Sequence, residues 1–149
     1  MQNISGFGLS ATIFATTTFP TGVTITEFAD DADPLDTPEL DLADVAMGLN
    51  GDMITWSRPQ GIEVTINVIA TSEDDTNLAQ IFEANRIGKG KTSAQDQITA
   101  AFAYPQGGQA NCSPGVMVTG TALPAVQSSG RYKSRAYRFK FENITKSGF

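Results

Sequence analysis

The clearest pattern in the chain is an alternation of apolar and polar positions, which predicts β-strands. From Ile62 to Ala70 the even-numbered residues are apolar and the odd-numbered residues are mostly polar. A period of two over this length places one face of a strand in a core and leaves the other face polar. The same alternation runs from Phe7 to Ala15 and from Tyr137 to Phe141. Weaker strands are predicted where β-branched and aromatic residues are enriched, at Val23–Phe28, Met53–Arg58, Ile98–Tyr104 and Val116–Leu123.

One segment has helical spacing instead. Ser72 precedes three consecutive acidic residues, which is typical of an N-cap followed by side chains that the helix dipole favours. Leu78, Ile81 and Phe82 then fall on one face. A basic last turn and Gly88 predict the end of the helix, which gives a length of about 16 residues. With one apolar stripe, this helix is expected to lie against a sheet.

The segments between these elements have the composition of turns and loops. The order of elements predicts a mainly β fold, an antiparallel β-sandwich or barrel with one flanking α-helix and a long acidic loop. We expect a single domain over residues 1–149, with a loop or arm at about residues 29–52. Loops or turns are predicted at Asp30–Pro38, Gly88–Gln97, Pro105–Pro114 and Gln127–Gly130.

The composition excludes many kinds of catalytic site. The chain has no histidine and one cysteine, Cys112, which is placed in the predicted turn before Pro114. A Ser-His-Asp triad, a Cys-His pair, an imidazole-ligated metal and an intrachain disulfide each need a residue that is absent. Sixteen acidic against ten basic residues give a net charge of −6, which opposes general nucleic-acid binding. We therefore expect no enzyme activity, no catalytic residue, no metal site and no cofactor.

Three chemical motifs remain, for phosphate binding, calcium binding and glycoside hydrolysis. Gly90–Thr92 ends like a phosphate-binding loop, but Asn85 stands where that motif has its first glycine. The four aspartates between Asp30 and Asp36 could offer oxygen ligands to calcium, but their spacing differs from the known loop and Pro34 interrupts it. A pair of carboxylates for glycoside hydrolysis stays open, because any two of sixteen acids could meet in the fold.

The charges are unevenly distributed along the chain. Nine acids and no base lie between Glu27 and Asp52, and six bases with one acid lie between Arg131 and Lys146. One interpretation is two solvated surfaces. The other is complementarity between copies, in which an acidic arm meets the basic strand of the next subunit and sets its register. The candidate contacts between copies are Asp30, Asp31, Asp33, Asp36, Glu39 and Asp41 on the arm, and Arg131, Lys133 and Arg135 on the basic segment.

The middle of the chain carries a family resemblance. The segments Met47–Ile54, Gly61–Val68 and Thr71–Leu78 resemble the tail tube proteins of bacteriophages with contractile tails. In that family a Gly-x-x-Gly-Asp/Glu turn leads to a short strand, an alternating strand follows, and a Ser-led helix comes next. The resemblance covers about residues 45–85 closely and the rest by order of elements, and the acidic insertion at Asp30–Pro38 departs from it.

The resemblance implies a barrel-like protomer that forms hexameric rings. The rings would stack head to tail into a hollow tube, inside a sheath, through which DNA passes without specific binding. It further implies contacts with tail sheath, tape-measure, baseplate and terminator proteins, no membrane, assembly in the host cytoplasm and a final place in the virion tail. An acidic channel would let DNA slide, and the candidate lumen-facing residues are Glu63, Thr65 and Asn67.

Other functions stay open at this point. A secretion-system tube or a tail-terminator ring would share the architecture. A β-sandwich module that binds sugar or peptide, or an enzyme that uses carboxylates alone, belongs to a different class. Rings or tubes formed by the protein would favour the first group, and a stable monomer would favour the second.

Overall fold

The computed structural model describes residues 4–148, which form antiparallel β-structure and one α-helix. The predicted fold class is confirmed. The helix, α1, is Glu73–Asn85 and lies between the sixth and seventh strands. The strands are β1 (Ser10–Ala15), β2 (Phe19–Ile25), β3 (Leu35–Asp36), β4 (Ala43–Met47), β5 (Met53–Ser57), β6 (Ile62–Val68), β7 (Ile98–Ala103), β8 (Gln109–Thr119), β9 (Arg135–Phe141) and β10 (Ile144–Ser147).

Eight strands form one sheet that closes around a single core. Its order is β2-β1-β7-β8-β9-β6-β3, with β10 beside β8. The chain after β2 returns to the end of β6, where the Ala29 N–H donates to the Asn67 carbonyl at 3.0 Å and the Ile69 N–H donates to the Glu27 carbonyl at 3.1 Å. The segment beyond β2, at one end of the strand order, therefore pairs with β6, which neighbours β3 at the other end. The other two strands, β4 and β5, form a separate hairpin.

The alternation read from the sequence fills this core. Val64, Ile66 and Val68 of β6 are buried, as predicted. The helix covers the core with Leu78 and Ile81, which are also buried. The remaining large buried side chains come from four other strands, and they are Ile13, Ile25, Ile98, Phe102, Tyr137, Phe139 and Phe141.

Strand β8 differs from the prediction, which placed a turn up to Pro114. The strand begins at Gln109, because its first half pairs with β7 and β10 and its second half pairs with β9. Cys112 is consequently buried within a strand and not in a turn, and burial raises the pKa of its thiol. A Cβ atom at Gly115 would lie 2.2 Å from the ring of Phe141, its partner in the antiparallel pairing of β8 with β9, so only glycine fits at this position.

The first strand is shorter than predicted. Phe7 is exposed and lies in a turn that includes Gly8, whose φ of 96° favours glycine. The regular strand therefore begins at Ser10. Sequence patterning also missed three strands. The short β3 lies within the predicted Asp30–Pro38 loop, where it pairs with β6. The other two are β4 and β10, and β10 is exposed along its whole length.

The helix begins where the sequence predicts and ends earlier. The Asp75 N–H donates to the Ser72 hydroxyl at 3.1 Å, which confirms Ser72 as the N-cap. The helix has 13 residues and stops at Asn85, without a basic last turn. The reason lies in the next loop, where the Asn85 amide donates to the Asp96 carboxylate at 3.0 Å and the Asp96 N–H donates back at 2.9 Å.

Asp96 holds the β1–β2 turn against this loop. The buried carboxylate accepts the Thr17 N–H at 2.8 Å, the Thr18 N–H at 3.1 Å and the Thr18 hydroxyl. Burial acts to raise the pKa of Asp96, but the hydrogen bonds, led by that from the Thr18 hydroxyl, outweigh it and leave the pKa below its usual value. The ionised form therefore stabilises the folded protein.

We expect Asp96→Asn to lose a stabilisation that depends on pH. Because the folded pKa is depressed, the contribution is complete above the unfolded pKa of about 3.9 and disappears as the pH falls through the folded pKa. Urea denaturation at a series of pH values should give a difference between wild type and variant that is largest above about pH 5 and shrinks as the pH falls below about 4. A difference that stays constant over this range would contradict the assignment.

Candidate functional site

The hairpin of β4 and β5 stands apart from the closed sheet. Its strands pair only with each other, with Ala43 opposite Ser57 and Met47 opposite Met53. From Asp36 to Gln60, the side chains are exposed except for two half-buried residues. The last part of the predicted arm, from residue 43 to residue 52, therefore belongs to a projecting β-hairpin, and the part before it is a loop that contains the short β3.

The glycine motif forms the tip of this hairpin. The Gly48 N–H donates to the Asp52 carbonyl at 2.6 Å, and the Gly51 N–H donates to the Gly48 carbonyl at 3.0 Å. Gly51 has a φ of 87°, a conformation that favours glycine. The expected turn leading into a short strand is confirmed, and Leu49 lies fully exposed at the tip.

Both faces of the hairpin are apolar. Cross-strand neighbours share a face, so Val45, Met47 and Met53 lie on one side. Residues of the other parity, Ile54 and Trp56, lie on the opposite side, and all five are at least half exposed. A two-stranded hairpin is marginally stable alone, and exposed apolar surface of this kind marks interaction sites. The hairpin is therefore the candidate functional site.

A cation fixes the root of the hairpin. Arg58, which follows β5, lies 3.3 Å from the Asp44 carboxylate and 3.7 Å from that of Asp41. Exposed pairs of this kind contribute about 0–1 kcal/mol each. They orient the root without holding the hairpin onto the body of the protein.

The acidic loop before the hairpin meets the basic segment within one protomer. Arg131 lies 2.9 Å from Asp30 and 4.0 Å from Asp31. The Ser134 hydroxyl donates to Asp31, and the hydrogen bond from Arg131 lowers the pKa of Asp30. These residues were candidates for contacts between copies, and in the protomer their charges are already paired.

The other predicted contact residues have different surroundings. Asp33, Asp36, Glu39 and Lys133 are exposed and form no ion pair with any residue between 4 and 148, so their role between copies stays a prediction. Asp41 takes part in the root pairing described above.

The prediction for Arg135 is wrong. Its side chain is buried and lies 3.2 Å from the Asp75 carboxylate, and it also donates to the Thr121 carbonyl. The same carboxylate accepts the Tyr137 hydroxyl at 2.8 Å and the Thr71 N–H at 3.0 Å. Burial raises the pKa of Tyr137, and the hydrogen bond to Asp75 acts in the same direction. Arg135 joins β9 to the start of α1 and cannot reach another subunit.

The three candidate lumen residues lie on the face of β6 that points away from the core. Glu63 pairs with Arg138 at 2.9 Å. The Asn67 amide donates to the Asp33 carbonyl at 2.6 Å, and Thr65 lies opposite Asp36 in the pairing of β3 with β6. All three are half-buried, and a channel-lining role stays a prediction.

The motif that resembles a phosphate-binding loop, Gly90–Thr92, has its lysine engaged within the protomer. The Lys91 ammonium donates to the carbonyls of Glu83 and Arg86 at the end of α1, so it supports a helix terminus. Within residues 4–148, no three His, Cys, Asp or Glu side chains form a group that could hold a metal ion. Over the same residues, no helix has the length and apolar character needed to span a bilayer.

Solved structures share this fold. The sheath/tube terminator of an extracellular contractile injection system, PVC, has a TM-score of 0.63 at 10% identity, with 99% of each chain covered. The tube-terminating cap of the anti-feeding prophage has a TM-score of 0.62 at 8% identity, covering 100% of this chain and 93% of that one. A chain of the PVC sheath–tube complex has a TM-score of 0.56 at 9% identity, covering 93% and 88%. At such identities the likeness is one of fold.

The comparison of sequences identifies the family. No curated protein sequence matches the chain. The family model described as tail fiber protein gp32 matches residues 2–145, which is nearly the whole chain. The predicted resemblance to phage tail proteins is thereby confirmed at the level of a phage-tail-like protein, while the narrower assignment to tail tubes stays a prediction. The chain belongs to the tail fiber protein gp32 family and has a structural role in a tail.

Proposed function

We propose that the protein is a non-enzymatic subunit that forms hexameric rings, which stack into the inner tube of a contractile tail. The observation that carries this proposal is the projecting hairpin with two exposed apolar faces. Full burial of a large apolar side chain is worth about 1.5–3 kcal/mol. An isolated protomer gains only part of this along the hairpin, because its five apolar side chains stay at least half exposed, whereas an assembly that covers them gains the rest.

The presence of apolar residues on both faces favours an assembly with many copies. One neighbour can cover one face, so the second face requires another neighbour or another part of the same one. Contacts between unlike surfaces of identical subunits generate closed rings or open helical stacks. The solved structures that share this fold include two tube terminators and a chain of a sheath–tube complex, all from contractile systems, which supports the same kind of assembly here.

The proposed partners follow from this position in a tail. They are further copies of the chain, sheath, tape-measure, baseplate and terminator proteins, with DNA passing through the tube. The net charge of −6 suits passage without specific binding, because an acidic wall does not retain phosphates. Assembly would take place in the host cytoplasm and the product would be part of the virion.

A tube-terminating ring is the second candidate function. The two structures with TM-scores of 0.63 and 0.62 are both described as terminators and match nearly the full length of this chain. A terminator would form single rings that cap a tube and would not polymerise further. The two candidates therefore differ in the product that the pure protein forms.

Negative-stain microscopy and sedimentation of the concentrated protein test both candidates. Long hollow tubes would support the tube subunit, and isolated six-membered rings would support the terminator. A protein that stays monomeric at high concentration, with its hairpin intact, would contradict both.

We expect Val45→Asp to abolish assembly while the protomer stays folded. The substitution places a charge on one apolar face of the hairpin, where desolvation in an interface is costly. The matched control is Val126→Asp, because Val126 has the same side chain and an exposure of 61% against 62% for Val45. Sedimentation should show Val45→Asp as a monomer and Val126→Asp as wild type, with equal denaturation midpoints. Equal assembly of the two variants would exclude the hairpin as the interface.

A further inference from the structure

We propose that the hairpin tip of one copy inserts into an apolar pocket at the hairpin root of a second copy. This inference rests on the proposed self-assembly and names the two surfaces that meet. The tip is defined as Met47–Met53, and the root pocket is the cavity between β10, β6 and the segment that leads into β4.

The root pocket opens from the surface into the core. It has a volume of about 260 Å³. Its lining includes the buried side chains of Val64, Phe102 and Cys112, and the partly exposed Leu40 and Ile144. An apolar cavity with buried residues in its lining gains free energy when an apolar side chain replaces the water in it.

The tip offers such a side chain. Leu49 is fully exposed, and Met47 and Met53 beside it are about two-thirds exposed. Methionine adapts its shape to an irregular cavity. Between residues 4 and 148, the strands that carry the tip, β4 and β5, pair with no other strand.

The charges of the two surfaces are complementary. Of the described residues that line the root pocket, Lys146 is the single charged one, and Asp52 is the single charged residue of the tip. Neither forms an ion pair with another residue in the range 4–148. Pairing of Asp52 with Lys146 would orient the tip as Leu49 enters, because interfacial charge pairs fix register.

The geometry requires the two surfaces to belong to different copies. Leu40 in the pocket lining lies just before β4, so the pocket is at one end of the hairpin and the tip is at the other. A strand of five residues spans about 17 Å, and the rigid pairing of β4 with β5 prevents the tip from folding back. Tip and pocket are unlike surfaces, so their contact is heterologous and repeats from copy to copy.

A second groove near the root fits the tip less well. It has a volume of about 580 Å³ and is lined by Gly61, Val116, Lys140 and Glu142 among others. It is wider than the root pocket, and its acidic Glu142 would face the carboxylate of Asp52. This groove provides the comparison site for the test.

Disulfide trapping tests the proposal on the full chain. Two proteins carrying Cys112→Ala, one with Leu49→Cys and the other with Ile144→Cys, are mixed, allowed to assemble and oxidised mildly. We expect cross-linked dimers from this mixture, and none when Leu49→Cys is mixed with Val116→Cys or Leu123→Cys. Assembled protein without the Leu49–Ile144 cross-link, or with equal cross-linking at Val116, would overturn the tip-in-pocket contact alone. Failure of the wild-type protein to assemble would overturn the proposed function as well.

A charge reversal gives a second readout that leaves the core unchanged. Asp52→Lys and Lys146→Asp are each expected to raise the concentration needed for half-assembly by about 2- to 5-fold, the range for one exposed ion pair. Combining both substitutions should restore the wild-type value, whereas Asp52→Lys with Lys140→Asp should not. Restoration by Lys140→Asp instead would place the tip in the wider groove and overturn the proposal.

Discussion

Replacing Ile66 with aspartate is expected to unfold the protein, whereas the same substitution at Ile54 should leave it folded. Ile66 is 0% exposed in the centre of β6, and Ile54 is 56% exposed on the hairpin. A carboxylate at position 66 would enter the core without a partner and remove a well-packed side chain, at a cost of about 4 kcal/mol or more. That is a large part of the about 5–15 kcal/mol that stabilises a typical domain.

Circular dichroism and urea denaturation distinguish the two variants. Ile66→Asp should lose its near-ultraviolet signal and its cooperative transition. Ile54→Asp should keep the wild-type midpoint but fail to assemble, because it places a charge on the second apolar face of the hairpin. A folded and assembling Ile54→Asp variant would mean that this face stays in water in the tail.

Removing the Asp75 carboxylate should have the second largest effect. This side chain accepts hydrogen bonds from Arg135, Tyr137 and the Thr71 N–H, all at the junction of α1 with β9. Asp75→Ala would leave the Arg135 cation buried without its counter-charge. Among residues 4–148, the Arg135 Nε atom already has no hydrogen-bond partner. Breaking one side of a buried pair costs about 3–5 kcal/mol, which urea denaturation would measure directly.

Two further variants separate the charge effect from a general weakness of the helix. Glu73→Ala removes an exposed acid from the same first turn and should cost no more than about 1 kcal/mol. Asp75→Ala combined with Arg135→Met should recover part of the loss, since no unpaired charge then remains. A double variant as unstable as Asp75→Ala alone would show that packing, and not the orphaned cation, sets the cost.

Much of the eight-stranded sheet could be predicted from the sequence, because apolar and polar side chains alternate along its strands. The alternation in β6 identified Val64, Ile66 and Val68 as core residues, and all three are buried. The same parity in β9 placed Tyr137 in the core and also pointed to Arg135. Sequence analysis treated Arg135 as a surface cation because of its charge, although its position in the alternation placed it on the inner face.

The ends of elements were harder to predict, because contacts distant in sequence decide them. Gly88 was expected to end the helix, yet Asn85 ends it by exchanging hydrogen bonds with Asp96. The first half of β8 has the polar composition of a turn, but two neighbouring strands, β7 and β10, supply its hydrogen bonds. No local signal at Gln109 reveals these partners.

The hairpin was only half predicted, for a different reason. Met53–Arg58 was expected as a strand, but Ala43–Met47 was included in an acidic loop. A strand that is apolar on both faces and flanked by acids lacks the one-sided pattern by which strands are recognised. Its sequence suits burial against another subunit, which a single protomer does not provide.

The exposed apolar hairpin would also affect how the purified protein behaves in storage. Its exposed apolar surface would make a purified stock turn cloudy during storage, and the same surface would allow the particle to grow. Substitutions chosen to keep the stock clear would tend to remove the ability of the subunits to assemble. A formulation screen that selects only for clear solutions would therefore favour variants that cannot assemble.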